Sequence, residues 1–153
     1  MKKYFWIFLF CFAIVNYSQA QDENPKYDAA LASKLGADEY GMKMYVLVIL
    51  KTGSNTSESK ETQDKLFAGH MENMGKLVKA NQLIVAGPIS KNEANYRGIF
   101  ILNVKTIKEA QAILETDPAI KAKVLAADCY NWYGSAALAE YLPFSEKVNK
   151  KNF

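Results

Sequence analysis

The chain has 153 residues, 19 basic and 16 acidic side chains, one histidine and two cysteines. That length holds one domain with its own core and excludes two. The small positive excess, with no stripe of Lys and Arg along any segment, excludes a nucleic-acid-binding surface.

The beginning reads as a leader rather than as fold. Met1, Lys2 and Lys3 precede an apolar run from Tyr4 to Val15 and then "NYSQAQ", the pattern of a signal peptide cleaved after Ala20. The run is shorter than the roughly 20 residues a spanning helix needs. Cys11 lacks the small residues just before it that a lipoprotein cysteine requires. Cleavage leaves about 133 residues and, with Lys2 and Lys3 gone, a charge near +1. The expectation is a secreted or periplasmic protein with neither membrane nor nucleic acid among its partners. Cys129 is then the remaining cysteine, so no internal disulfide forms; a buried inert thiol is one reading and an intermolecular bond the other.

Residues 21–41 read as an N-terminal arm with a short helix, Asp28 capping "AALASKL" and Gly36 ending it. "MKMYVLVILK", residues 42–51, is β-branched, aromatic and apolar at nearly every position, which predicts a strand. "TGSNTSESKET" is a loop. A helix follows from about Gln63 to Ala80, with Asn81 as its stop. "LIVAG" predicts a second strand closed by Gly87 and Pro88, "PISKNEANYRG" a polar connection, and residues 99–104 a third strand. "TIKEAQAILE" has helical spacing. Asp117 and Pro118 open a helical turn through about Leu125, and "DCYNWY" is the last strand. "SAALAEYLP" adds a final helical turn, closing a domain at residues 42–142, and residues 143–153 read as a flexible basic tail.

Strand, helix, two strands, helix, strand is the α+β ferredoxin-like plan, βαββαβ, a four-stranded antiparallel sheet with helices on one face. A sheet with one wet face alternates apolar with polar, and "YVLVIL" and "IFIL" do not. The second face therefore needs a cover, and a second copy of the same sheet is the simplest one. This predicts a homodimer joined through sheet faces.

His70 lies some 60° from Phe67 on a wheel of about 100° per residue, at the border of the apolar stripe. It reads either as a partly buried structural histidine or as a general base. Asp117, just before a proline, reads first as a helix cap. A capping carboxylate can also hold an imidazole and select its tautomer, so the two roles coexist. Gly87 and Pro88 read as a turn that a ligand can approach closely. Tyr45, Tyr96, Tyr130, Trp132 and Tyr133 are candidates to line an aromatic pocket, two or more of them being ordinary core. Phosphate-loop, dinucleotide and nucleophile-elbow fingerprints are absent. One His and one Cys without ligand spacing give no metal site, and no cofactor is expected; a haem would rest on His70 alone.

"LFAGHMENMGKLVKANQLIVAGP", then "GIFILNVKTIKEAQAILETDPAI", then an aromatic final strand resemble the YCII-related (YciI-like) proteins, in particular exported members, over roughly Lys43 to Tyr133. The resemblance implies the dimeric α/β-barrel arrangement and an active site made of a His and Asp pair in a cleft, here His70 and Asp117. It also implies small-molecule chemistry of the elimination kind. Many members carry an arginine about one helical turn before the histidine, where this chain has Phe67 and Ala68; the cleft is accordingly expected to prefer a neutral or aromatic ligand. Two functions fit. One is an exported lyase- or isomerase-type enzyme in which His70 removes a proton, Asp117 orients it, and Tyr45, Gly87, Pro88, Tyr130 and Trp132 contact an unknown small molecule. The other is a non-catalytic ligand-binding or structural homodimer on the same fold.

Overall fold

A computed structural model describes residues 24–150. The leader expected over residues 1–20, the first residues of the arm and the last of the tail lie outside the described residues. The described chain runs α1 (Ala29–Leu35), β1 (Met42–Thr52), α2 (Lys60–Lys79), β2 (Leu83–Pro88), β3 (Tyr96–Leu102), α3 (Ile107–Leu114), α4 (Pro118–Lys121) and β4 (Leu125–Ser135). A 3-10 helix (Ala136–Tyr141) and α5 (Leu142–Val148) follow.

Helix ends obey local chemistry. The Asp28 side chain accepts from Leu31 N, and Gly36 takes the left-handed conformation at φ 70° that ends α1. Ser59 caps α2 a little earlier than the apolar periodicity suggested, because Lys60 to Thr62 form a polar first turn. Thr106 and Glu109 form a reciprocal capping box at α3.

The four strands lie in the order β2-β3-β1-β4, all neighbours antiparallel, which is the ferredoxin-like α+β plan. β1 is central, and its register assigns the faces. Val46, Val48 and Leu50 sit across from Leu102, Phe100 and Gly98 on β3 and from Asn131, Cys129 and Ala127 on β4. This face meets the helices: Leu77 of α2, Ala110, Ile113 and Leu114 of α3 and Ala119 of α4 complete the main core. Alternation sends Tyr45, Leu47 and Ile49, with their neighbours Trp132, Tyr130 and Asp128, to the opposite face.

That opposite face is apolar, as the unbroken run in β1 demands, and its cover begins within the chain itself. Leu138, Ala139 and Leu142 pack on Tyr45, Ile84 and Ile101. The Tyr45 hydroxyl donates to Ser135 O at 2.9 Å, and the Tyr141 hydroxyl donates to Ile84 O. Residues expected as the start of a flexible basic tail are thus part of helix α5, which begins at Leu142. The remainder of the face is barer: Ile49 and Ile99 are half-buried and Tyr130 is 52 % exposed.

The arm is tied to the last strand by one side-chain contact. The Tyr133 hydroxyl donates to Asp38 Oδ2, while Asp38 Oδ1 accepts from the backbone of Tyr40 and Met42. The hydrogen bond from Tyr133 holds the Asp38 carboxyl below its ordinary range, and the same bond pushes the Tyr133 phenol up to about 12. A raised phenol stabilises the folded state below its ordinary value of 10 and loses that contribution as pH rises through about 12. Ultraviolet titration of the tyrosines is therefore expected to show a phenol near 12 that returns toward 10 in Asp38→Asn, while the phenols of Tyr45 and Tyr141, which burial also pushes up, do not respond to that substitution. A late phase unchanged in Asp38→Asn would refute the contact.

Candidate active site

The site begins with a helix crossing. α2 carries His70 past α4, whose N-cap is Asp117, and the two helices touch at Gly69 and Pro118. A Cβ on Gly69 would lie 2.7 Å from Pro118 Cγ, closer than packing permits. A glycine inside a helix costs about 1 kcal/mol relative to alanine; here it permits the close approach that sets the next residue against Asp117.

His70 Nδ1 lies 2.6 Å from Asp117 Oδ2, and both residues are buried, 8 % and 1 % exposed. The other carboxylate oxygen, Oδ1, accepts from Ala119 N at 2.9 Å and Ile120 N at 3.3 Å. Capping and imidazole-holding are thus divided between the two oxygens of one group. A carboxylate that serves as acceptor on both oxygens places the ring proton on Nδ1 and leaves the Nε2 lone pair available. Phe100 stacks on the imidazole with centroids 5.9 Å apart and planes at 18°, and Phe67 meets it edge-on at 6.3 Å. The ring is held on three sides.

His70 opens on a cavity of about 370 Å³ between α2 and the helix-facing side of the sheet. α2 contributes Phe67, Met71 and Met74; Leu50, Phe100 and Leu125 form the floor; Ala86, Gly87, Pro88 and Gly98 form the far wall. The space exists because that wall carries almost no side chain. A Cβ on Gly98 would sit 2.8 Å from Gly87 O. The volume holds one substituted ring with room to spare, since benzene occupies an engineered apolar cavity of about 150 Å³.

The structure brings together four of the residues singled out from sequence, His70, Asp117, Gly87 and Pro88. It does not bring Tyr45, Tyr130 and Trp132 to them. Strand parity puts those three on the sheet face away from α2, where Tyr45 is fully buried and its ring lies tilted at 37° to that of Trp132, with centroids 5.6 Å apart. Burial pushes the Tyr45 phenol up, so it remains a neutral donor to Ser135 O. The expectation that these rings pack a substrate beside His70 is corrected accordingly. Cys129 faces the helices, its thiol pushed up by burial and then by Asp128, which makes it a poor nucleophile.

Two contributors are not evident from sequence. Phe100 supplies the stacking surface, and only the β1–β3 register reveals its side. Arg97, expected in a polar connection, belongs to β3 and lines the cavity, its guanidinium 6.0 Å from the Phe67 ring. No cluster of three or more His, Cys, Asp or Glu side chains that could hold a metal occurs among the described residues. Among them, too, no helix is long and apolar enough to cross a membrane.

Residues 44–130 match the YCII-related domain, more than half of the chain. The chain belongs to the YCII-related family. No curated protein is matched by it. Among solved structures it is similar to 5-chloro-2-hydroxyhydroquinone dehydrochlorinase (TftG) from Burkholderia phenoliruptrix AC1100, in complex with 2,5-dihydroxybenzoquinone. The identity is 20%, the TM-score 0.42, and the likeness covers 57% of this chain and 92% of that chain. The matched YCII-related segment holds His70, Asp117 and every residue of the cavity wall, whereas the 3-10 helix and α5 over the second sheet face fall outside it.

Two substitutions test the construction of the pair. Asp117→Ala removes both the cap and the partner of a buried imidazole and is expected to cost about 3 kcal/mol in urea unfolding, with Asp117→Asn costing less than half of that. Equal losses would mean that the cap contributes nothing. Gly69→Ala should gain about 1 kcal/mol from helix propensity if the site were spacious. The contact with Pro118 predicts a net loss of similar size instead, read as a fall in Tm.

Proposed function

We propose that this protein is an exported YCII-related enzyme that acts on a small molecule by general acid–base chemistry of the lyase or isomerase type. The observation that carries the reading is the buried His70–Asp117 pair, 2.6 Å apart, with its imidazole opening on an apolar cavity. Asp117 holds the ring through Nδ1, and Nε2 takes a proton from a carbon or hydroxyl activated by its own substituents. The same nitrogen, once protonated, returns the proton to the product or to a leaving group. Phe67 and Phe100 keep the ring from rotating, and Met71 and Met74 adapt to the shape of the bound molecule. Water is largely displaced from such a lining, which strengthens the polar contacts that remain.

Export is supported by the lysine-led apolar run and by Ala20 at the expected cut. A homodimer is supported by the second sheet face, whose apolar surface exceeds what the chain's own C-terminal helices cover. A second reading, a non-catalytic binding dimer, is favoured by the scarcity of polar groups in the cavity: His70 and Arg97 are the only lining residues with ionisable side chains.

The deciding experiment starts with a thermal-shift screen of pooled metabolites on the chain from Gln21 onward. Ligands that raise Tm are then followed by NMR in D₂O for exchange of their acidic C–H positions. A general base predicts exchange in the wild type that falls by about 10² to 10⁴ in His70→Ala. Asp117→Asn should be intermediate. Ligands that bind tightly and never exchange would end the catalytic reading and leave the binding one.

A further inference from the structure

We infer that Arg97 is the specificity residue of this cavity and that the ligand is a small, mostly apolar carboxylate. The inference rests on the proposed site and names the class of molecule it takes.

Arg97 is the only arginine in the sequence, as His70 is the only histidine, and both line the same cavity. Its position there follows from a fault in the sheet. On β1, Leu50 pairs with Gly98 while the next residue, Lys51, pairs with Tyr96. Arg97 is the extra residue of a bulge. Gly98 shares the helix-facing side with Leu50, so in a regular ladder the adjacent Arg97 would face away from the helices. The bulge instead gives that face to Tyr96, beside Lys51, and turns Arg97 toward α2, where its guanidinium lies 6.0 Å from the centre of the Phe67 ring. Bulges beside functional sites commonly re-aim one side chain in this way.

The arginine is also uncommitted. The ion pairs among the described residues leave it without a carboxylate partner, whereas Lys51 is paired with Asp128 at 2.5 Å. It is exposed at the mouth, held by the face of Phe67 rather than by an acid. Phe67 stands between the cation and the imidazole, with His70 against its edge and Arg97 over its face. A flat molecule lying along Phe67 presents its charged end to Arg97 and its reactive position to His70 Nε2. A planar guanidinium matches a carboxylate through two parallel N–H bonds, which an ammonium cannot do. The lining between the two groups is hydrocarbon, so the body of the ligand is apolar. A neutral ligand, expected from Phe67 and Ala68 on α2, would leave the one cation of this lining unused.

The test uses matched probes: benzoate, phenylacetate and 4-hydroxybenzoate, each beside its amide, titrated into the chain from Gln21 onward. Imidazole resonances report directly because the chain has a single histidine. The carboxylates are expected to bind at least about tenfold tighter than the amides at low ionic strength, with the gap narrowing in salt. Arg97→Gln should make each pair equal, and Arg97→Lys should retain part of the preference. Equal affinities in the wild type, an undiminished preference in Arg97→Gln, or resonances unmoved by every probe would overturn the inference. An Arg97-dependent preference in a protein that exchanges no substrate C–H would keep it and end the catalytic reading. His70-dependent exchange on ligands held equally well by Arg97→Gln would do the reverse.

Discussion

The hydrogen bond between His70 and Asp117 is the constraint on which the remainder of the site depends, because it fixes a side chain of α2 to the first turn of α4 where the two helices cross at Gly69 and Pro118. Neither residue could hold its place alone. A buried carboxylate needs donors for both oxygens, and Asp117 finds backbone N–H groups on one side and the imidazole on the other. A buried imidazole with one nitrogen engaged is fixed in tautomer and orientation, so its second nitrogen has a defined direction. Under the proposed function, structural need and chemical use coincide in one bond. Gly69 is the part of the arrangement that confers no stability of its own and is required by geometry.

The central sheet divides its two faces between separate tasks. The face toward α2 and α3 carries the main core and, at the end where Ala86, Gly87 and Gly98 lack bulk, the cavity. The opposite face is sealed at one end by the 3-10 helix and α5 and is left partly bare elsewhere. Under the proposed function, substrate chemistry and association between copies fall on different surfaces, so that a change in one need not disturb the other. The Tyr45 and Tyr141 hydroxyls, both hydrogen-bonded to backbone carbonyls, anchor this C-terminal cover to the sheet.

Much of this was legible in the residues. Asp28, Gly36, Asn81 and Asp117 announce helix ends through side-chain or backbone chemistry that is local, and β1 announces two apolar faces by lacking alternation. The pairing of His70 with Asp117 followed from a resemblance over the whole motif order and not from either residue. What could not be read was parity. Tyr45, Trp132 and Tyr130 alternate with residues that face α2, and a strand sequence shows which residues share a face without showing which face meets the helices. The extent of β3 was hidden for a similar reason: Tyr96 and Arg97 look like loop residues, and only the ladder with Lys51 makes them strand. α5 was hidden by its charge, because the apolar anchors of the cover, Leu138 and Ala139 in the 3-10 helix and Leu142 at the start of α5, precede the lysines that suggested a frayed end.

The bulge at Arg97 shows how a one-residue irregularity can decide chemistry. In an unbroken β3 the residue before Gly98 would face away from the helices, and the residue before that would face toward them. Tyr96 would then close the cavity with a phenol, and Arg97 would join Lys51 and Asp128 on the far surface, where a carboxylate is already at hand to neutralise it. Inserting one residue reverses both outcomes. The tyrosine goes to the surface that already carries Tyr130 and Lys51, and the cation arrives without a partner at the mouth of an apolar pocket. Backbone hydrogen bonds hold the irregularity on both sides, Ile89 N to Arg97 O at 3.0 Å and Thr52 N to Asn95 O at 3.2 Å. An unpaired arginine kept beside hydrocarbon forgoes an ion pair that a regular strand would have offered. A ligand that completes it recovers that interaction on binding, and the slip in register is the structural reason it can.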